Sequence, residues 1–196
     1  QTVGRIGSIS KPMAAVTVLR LVEQGRVRLA DPVNQHVPAF PAKRWPVTLR
    51  HVLNHTSGIR HYKPGEFGTM KHYDSVADAV GVFAGDPLKF QPGTRYSYSS
   101  FAYNLLAGVV ERHAEGTFRD TLRRTIWGPA GMSSTNLEVQ GELVPRRARG
   151  YVRNTQGRTR NAPYADLSVK WAGGGVISSP VDLVRFSDAL LGGRLV

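Results

Sequence analysis

Gly4-Arg5-Ile6-Gly7-Ser8-Ile9-Ser10-Lys11-Pro12-Met13-Ala14 is the stretch on which the reading of this chain turns. Ser8 and Lys11 stand three residues apart, so at a helix start their side chains share one face with their heads in reach of each other. A serine hydroxyl is a poor nucleophile until a neighbour takes its proton, and a desolvated lysine can do so as the free amine. This is the S-x-x-K spacing of serine acyl-transfer enzymes, a motif short enough that an ordinary helix turn with a surface lysine competes with it. Arginine outnumbers lysine 20 to 6, yet position 11 holds lysine, the one of the two cations that can give up its proton. Proline is tolerated only where helix N–H groups are still unpaired, so Pro12 places the first turn at or just before Ser8 and Ile9. Ser8 then sits at the positive end of a helix, where a developing oxyanion is stabilised.

Downstream, residues 13–23 are apolar almost all round, which predicts a helix buried on most sides and capped by Gly25. Residues 26–29 alternate like a short strand before Asp31-Pro32 turns the chain. Pro38, Pro41 and Pro46 make a loop, until Thr48 caps a short helix through Leu49, Val52 and Leu53. His55, just beyond, reads first as a hydrogen-bonded packing group and only second as a general base. His51 and His55 have a zinc-compatible i, i+4 spacing, but no glutamate follows His51, so a structural pair is expected.

Residues 61–74 lack periodicity and read as a long surface loop, of the kind that often serves as a lid or binding element. Ser75 with Asp78 caps a helix through Val80 and Phe83. After the Pro92-Gly93 turn, Tyr96, Tyr98, Ser99 and Ser100 lead into a helix marked by Ala102, Leu105, Leu106, Val109 and Val110. On residue type alone those tyrosines are packing groups with a wet hydroxyl. Thr117 and Asp120 cap a helix that stops at Trp127-Gly128-Pro129, and Asn154-Thr155-Gln156-Gly157 marks a hairpin. Gly173-Gly174-Gly175 lacks the spacing of a phosphate loop, so close packing is the preferred account. Ser179-Pro180-Val181-Asp182 starts a last helix carrying Leu183, Phe186 and Leu190.

With 196 residues, 41% apolar and 20% charged, the chain can bury a core, and wholesale disorder is excluded. Cysteine is absent, which rules out disulfides and thiolate metal sites and leaves the redox compartment open. Charge interrupts every apolar run before 18 residues, so no helix is expected to span a membrane. The chain opens on Gln1 rather than Met, which suggests that a preceding segment was removed or not included. A net charge of +12 raises the question of nucleic acid. Around Arg146, Arg147, Arg149, Arg153, Arg158 and Arg160, however, the only aromatic residues are Tyr151 and Tyr164, no stacking platform. A solvated basic face, or a patch steering acidic ligands, is favoured over a nucleic-acid partner.

The collinear set of segments resembles the serine beta-lactamase and penicillin-binding protein superfamily, in its class C-like branch, nearest the mitochondrial-type serine beta-lactamase-like proteins. The segments are Arg5-Ile6-Gly7-Ser8-Ile9-Ser10-Lys11-Pro12; Gln24-Gly25-Arg26-Val27 with Asp31-Pro32-Val33; Leu53-Asn54-His55-Thr56-Ser57-Gly58-Ile59; Pro92-Gly93 through Tyr98-Ser99-Ser100; Gly128-Pro129-Ala130-Gly131-Met132; and Lys170-Trp171-Ala172-Gly173-Gly174-Gly175 followed by residues 178–186. They run in the family's order over nearly the whole chain, which is far more specific than any one motif.

The resemblance implies an α/β beta-lactamase/transpeptidase-like fold and a serine hydrolase that forms an acyl-enzyme on amide or ester substrates, with neither cofactor nor metal. By match Ser8 is the nucleophile, Lys11 its base partner and Tyr98 the second proton-transfer group. Ser100 stands where the family's Y-x-N asparagine usually sits, able to hold Lys11 or a substrate amide but with fewer donors and acceptors. That departure favours a peptidase or esterase over a beta-lactamase. The family's sheet strands before the motif and after residue 196, and its third motif, are not found. Residues 1–196 are therefore expected to be an incomplete, mainly helical part of the domain, poorly active alone. A catalytically idle scaffold or filament-forming member of the same fold is the alternative. Partners are expected to be small-molecule or peptide substrates, a homo-oligomer being allowed. The compartment stays open between export, as in bacterial relatives, and mitochondria.

Overall fold

A computed structural model describes residues 2–196; Gln1 lies outside them. Among the described residues the helices are α1 (Ser10–Glu23), α2 (Leu49–Leu53), α3 (Val76–Ala84), α4 (Ser100–His113), α5 (Phe118–Leu122), α6 (Trp171–Gly174) and α7 (Pro180–Leu191). The strands are β1 (Gly4–Arg5), β2 (Asn136–Leu137), β3 (Tyr151–Arg153), β4 (Thr159–Asn161) and β5 (Val176–Ser178). The two longest helices, each mostly buried, form the centre. α1 and α4 pack on each other, and Met13, Ala14 and Val18 of the one and Phe101, Leu105 and Leu106 of the other are fully buried in the same core. α6 wedges against both.

Local sequence accounts for most helix boundaries. The side chains of Thr48, Ser75, Ser99, Thr117 and Ser179 each accept the N–H three residues on, satisfying a donor the first turn leaves unpaired. At the end of α1, Gly25 takes φ +67° and the Arg26 N–H reaches back to the Leu21 carbonyl, closing the helix with a Schellman turn. α5 continues into a π-helical turn, Arg123–Trp127, in which the Gly128 N–H bonds the Arg123 carbonyl.

Residues 26–29 do not form the strand that their alternation predicts. The Asp31 carboxylate takes the Arg28 N–H at 2.7 Å and its Nε at 2.9 Å, making a turn. The carbonyls of Leu29 and Asp31 instead accept the Arg50 and Leu49 N–H groups of α2. Alternation fits the burial of Val27, but among the described residues no strand pairs with this stretch.

The sheet is small and antiparallel, in the order β1-β5-β2, with Gly4 opposite Ser178 and Arg5 opposite Ile177. β3 and β4 form a separate exposed hairpin over the predicted Asn154-to-Gly157 turn. β5 follows α6 directly and pairs with the strand that precedes Ser8. The Ile6 N–H reaches the Val176 carbonyl at 3.1 Å, and the Val176 N–H reaches Ser10 Oγ at 3.2 Å. The turn carrying Ser8 is thereby held from both sides.

Candidate active site

Ser8 lies in a 3-10 turn, Gly7–Ile9, that leads into α1 with Pro12 in the helix's first turn, as the sequence requires. Gly7 takes φ +53°, a left-handed conformation that favours glycine, and this lifts Ser8 into solvent. Ser8 Oγ lies 2.6 Å from the Tyr98 hydroxyl and 3.1 Å from Lys11 Nζ. Lys11 is 4% exposed and donates to Ser100 Oγ at 3.0 Å and to the Gly173 carbonyl. The four residues singled out from sequence, Ser8, Lys11, Tyr98 and Ser100, thus meet in one place, drawn from the starts of α1 and α4.

The electrostatics suit proton transfer. Burial pushes the Lys11 amine below its ordinary range, against the opposing pull of the Tyr98 phenol. Burial pushes the Tyr98 phenol up, but the hydrogen bonds from Lys11 and Ser8 outweigh it and leave the group below its usual value. As a neutral amine Lys11 has two N–H groups, which Ser100 and Gly173 can hold. Its lone pair is then left facing the Ser8 hydroxyl.

Behind Tyr98 stand two histidines. His55 packs on it with ring centroids 4.4 Å apart and stacks on Tyr103 at 4.9 Å, while its Nδ1 accepts the Ser99 N–H at 3.3 Å. Burial, with Lys11 and His61 nearby, pushes its pKa down to about 4, so it is a neutral packing group, as its place at a helix end suggested. His61 accepts the Ser100 N–H at 3.2 Å and meets Tyr98 edge to face. The His51 ring accepts the Thr48 N–H in the α2 capping box. His51 and His55 therefore serve separate structural ends, and no cluster of metal-ligating side chains occurs among the described residues.

Sequence reasoning passed over two contributors. Gly173 brings its carbonyl to Lys11 because α6 lies directly on the start of α4; a Cβ there would come within 2.6 Å of the Ser100 carbonyl oxygen. Glycine at that spot was legible as close packing, its carbonyl role was not. Lys170, 5% exposed, donates to the Phe67 carbonyl at 2.7 Å. It is one of several ties between the 61–74 loop and residues 166–170: the Asp166 N–H bonds the Thr69 carbonyl, His72 Nδ1 lies 2.8 Å from Asp166 Oδ2, and the Tyr73 N–H bonds Ser168 Oγ. The loop borders the site, with Phe67 and Met70 exposed.

The family model described as Beta-lactamase matches residues 1–196. The human (Homo sapiens) protein "Serine beta-lactamase-like protein LACTB, mitochondrial" is 31% identical over the whole chain, which covers 48% of that protein. The chain spans about half the length of the curated relatives it matches. Among solved structures, a D-stereospecific amidohydrolase from Streptomyces sp. is 27% identical with a TM-score of 0.86, covering 100% of this chain and 62% of that one. The D-amino acid amidase from Ochrobactrum anthropi SV3, in complex with D-phenylalanine, is 27% identical with a TM-score of 0.85, covering 100% and 58%. With its full length matched by the family model and its backbone laid over these solved relatives, the chain belongs to the Beta-lactamase family and carries the beta-lactamase/transpeptidase-like fold.

Proposed function

We propose that this chain carries the nucleophile-bearing part of a serine hydrolase that works through an acyl-enzyme on amide or ester substrates. One observation carries the reading: an exposed serine hydroxyl in contact at once with a buried amine and a phenol. The neutral Lys11 amine takes the Ser8 proton as Ser8 Oγ bonds the substrate carbonyl carbon. Tyr98 then passes its own proton to the leaving nitrogen or oxygen as that bond breaks, and recovers one from Lys11. Water, deprotonated by the same groups, attacks the ester carbonyl and releases the acid and free Ser8.

Amides come first as candidate substrates, because two solved relatives are named for amide hydrolysis, one a D-stereospecific amidohydrolase and the other a D-amino acid amidase. Ser100 in place of an asparagine points the same way, away from lactams. The exposure of Ser8 counts against an idle scaffold on this fold, which would be free to bury that position.

The test is covalent labelling of the full-length protein with a fluorophosphonate, followed by peptide mapping. A single adduct on Ser8, absent from Ser8→Ala, is expected. Failure of Ser8 to label at any pH, in a protein whose circular dichroism shows it folded, would overturn the reading.

A further inference from the structure

Away from Ser8, the chain folds three arginines around one small cavity. Arg20 lies in the last turn of α1, Arg26 just beyond that helix, and Arg124 in the π-helical turn that follows α5. The α4–α5 connection closes the remaining side with Ala114 and Glu115. The cavity holds about 190 Å³, below the roughly 300 Å³ at which drug-sized ligands begin to be enclosed.

Each guanidinium donates to one backbone carbonyl: Arg20 Nη1 to Leu195 at 2.6 Å, Arg26 Nη1 to His113 at 2.7 Å and Arg124 Nη2 to Glu115 at 3.0 Å. Those bonds fix the side chains and leave most of their five N–H groups unused by the protein. Arg20 Nε is buried and has no hydrogen-bond partner. A buried donor without an acceptor is costly, the more so on a cation, and the cavity that Arg20 lines is the space from which an acceptor can come. Among the described residues none of the three pairs with a carboxylate, whereas Arg5, Arg28, Arg60 and Arg119 all do. Glu115, the acid among the lining residues, is exposed and makes no ion pair with any of them. The hydroxyls of Thr17, Thr121 and Thr125 already donate to carbonyls four residues back, at 2.9, 3.0 and 2.7 Å. The protons left for an incoming group are therefore chiefly those of the arginines.

We propose that this cavity binds a phosphate group, either as the free ion or as the phosphate of a small monoester. Guanidinium forks offer paired, charge-assisted hydrogen bonds to the oxygens of such an anion. Three cations against one exposed acid give the cavity the complementary charge. Its volume admits the oxyanion and leaves the rest of a monoester in solvent, beside exposed Arg26 and Arg124. Once bound, the ion supplies the acceptor that Arg20 Nε lacks and ties α1 to the α4–α5 connection and the π-helical turn. This site is separate from Ser8 and does not rest on the reading of its chemistry.

The full-length protein is titrated calorimetrically with inorganic phosphate and, in a parallel arm, with glycerol phosphate, both at constant ionic strength. Thermal midpoints measured in the same solutions report binding that releases little heat. One saturable site is expected. Arg124→Gln removes an exposed guanidinium and should weaken binding about 10-fold; Arg20→Lys, which keeps the charge but lacks Nε, should weaken it similarly. Glu115→Gln removes the opposing charge and should tighten binding about 3-fold. Changing Arg153, Arg158 and Arg160 of the hairpin to glutamine should leave it as in wild type. Affinity for both compounds supports a cavity open to monoesters, and affinity for inorganic phosphate alone supports one that takes the free ion. Arg20 also holds the Leu195 carbonyl, so if Arg20→Lys fails to fold, Arg124→Gln and Glu115→Gln decide. Neither saturable heat nor a raised midpoint in wild type overturns the proposal. So does a loss in the hairpin variant equal to that in Arg124→Gln, which would mean that the ion answers only to the overall charge.

Discussion

Tyr98 stands on two imidazoles that accept backbone N–H groups and so have reason to stay unprotonated. Tyr98→Phe removes the hydroxyl proposed to carry the proton while leaving the ring in its stack. It is expected to lower turnover by about 100- to 10,000-fold with a thermal midpoint close to wild type. Steady-state rates beside a melting curve check it. His55 makes a pH prediction. Its folded pKa of about 4 lies below the ordinary 6.5, so the unfolded chain binds the proton first. The stability it contributes is fully present above about pH 6.5 and falls away as pH drops toward 4. His61, also held low, acts in the same direction. Urea midpoints across that range should decline, and less steeply in His55→Gln. Ser8 and Lys11 could be found from spacing because both belong to one turn. Tyr98 and Ser100 emerged only from family resemblance, since tyrosines entering a helix usually just pack. Lys170 gave no local signal: its tie to the Phe67 carbonyl and its place over the Phe67 and Tyr62 rings come about only by folding.

Among elements, the seam between α4 and α6 is the tightest next to the site. Gly173→Ala would drive a Cβ to 2.6 Å from the Ser100 carbonyl oxygen and 3.2 Å from Ser100 Cβ, forcing the helices apart. A loss of about 1–3 kcal/mol is expected, together with loss of Ser8 labelling, because the displaced Gly173 carbonyl also holds Lys11. Gly157→Ala, at the hairpin turn where nothing lies near, tests backbone strain alone and should leave labelling intact. Calorimetry and labelling of both variants decide it. Helix starts were legible because a cap is a local bargain between one side chain and one N–H, as at Ser75 and Ser179. The two-residue strands β1 and β2 were not, since only their distant partner β5 makes them strands. The same limit explains residues 26–29, where alternation reported which side chains are buried but not where the backbone groups go.

At the scale of the whole molecule, a formal charge of +12 sets up self-repulsion that salt relieves. Arg153, Arg158 and Arg160 lie exposed on the β3–β4 hairpin. Changing all three to glutamine should raise the urea midpoint slightly at low ionic strength, with the gain fading near about 0.15 M salt. A fall in stability at low salt would show that these arginines make favourable contacts instead. Composition made the charge visible, and folding decided how much of it stays in solvent. Ser8 and Lys11 leave the ribosome well before α6 and β5, which hold Lys11 and clamp the turn carrying Ser8 and are made some 160 residues later. On the mechanism proposed above, a nascent chain therefore displays its serine long before Lys11 is seated beside it, and the hydroxyl would become a nucleophile only late in synthesis.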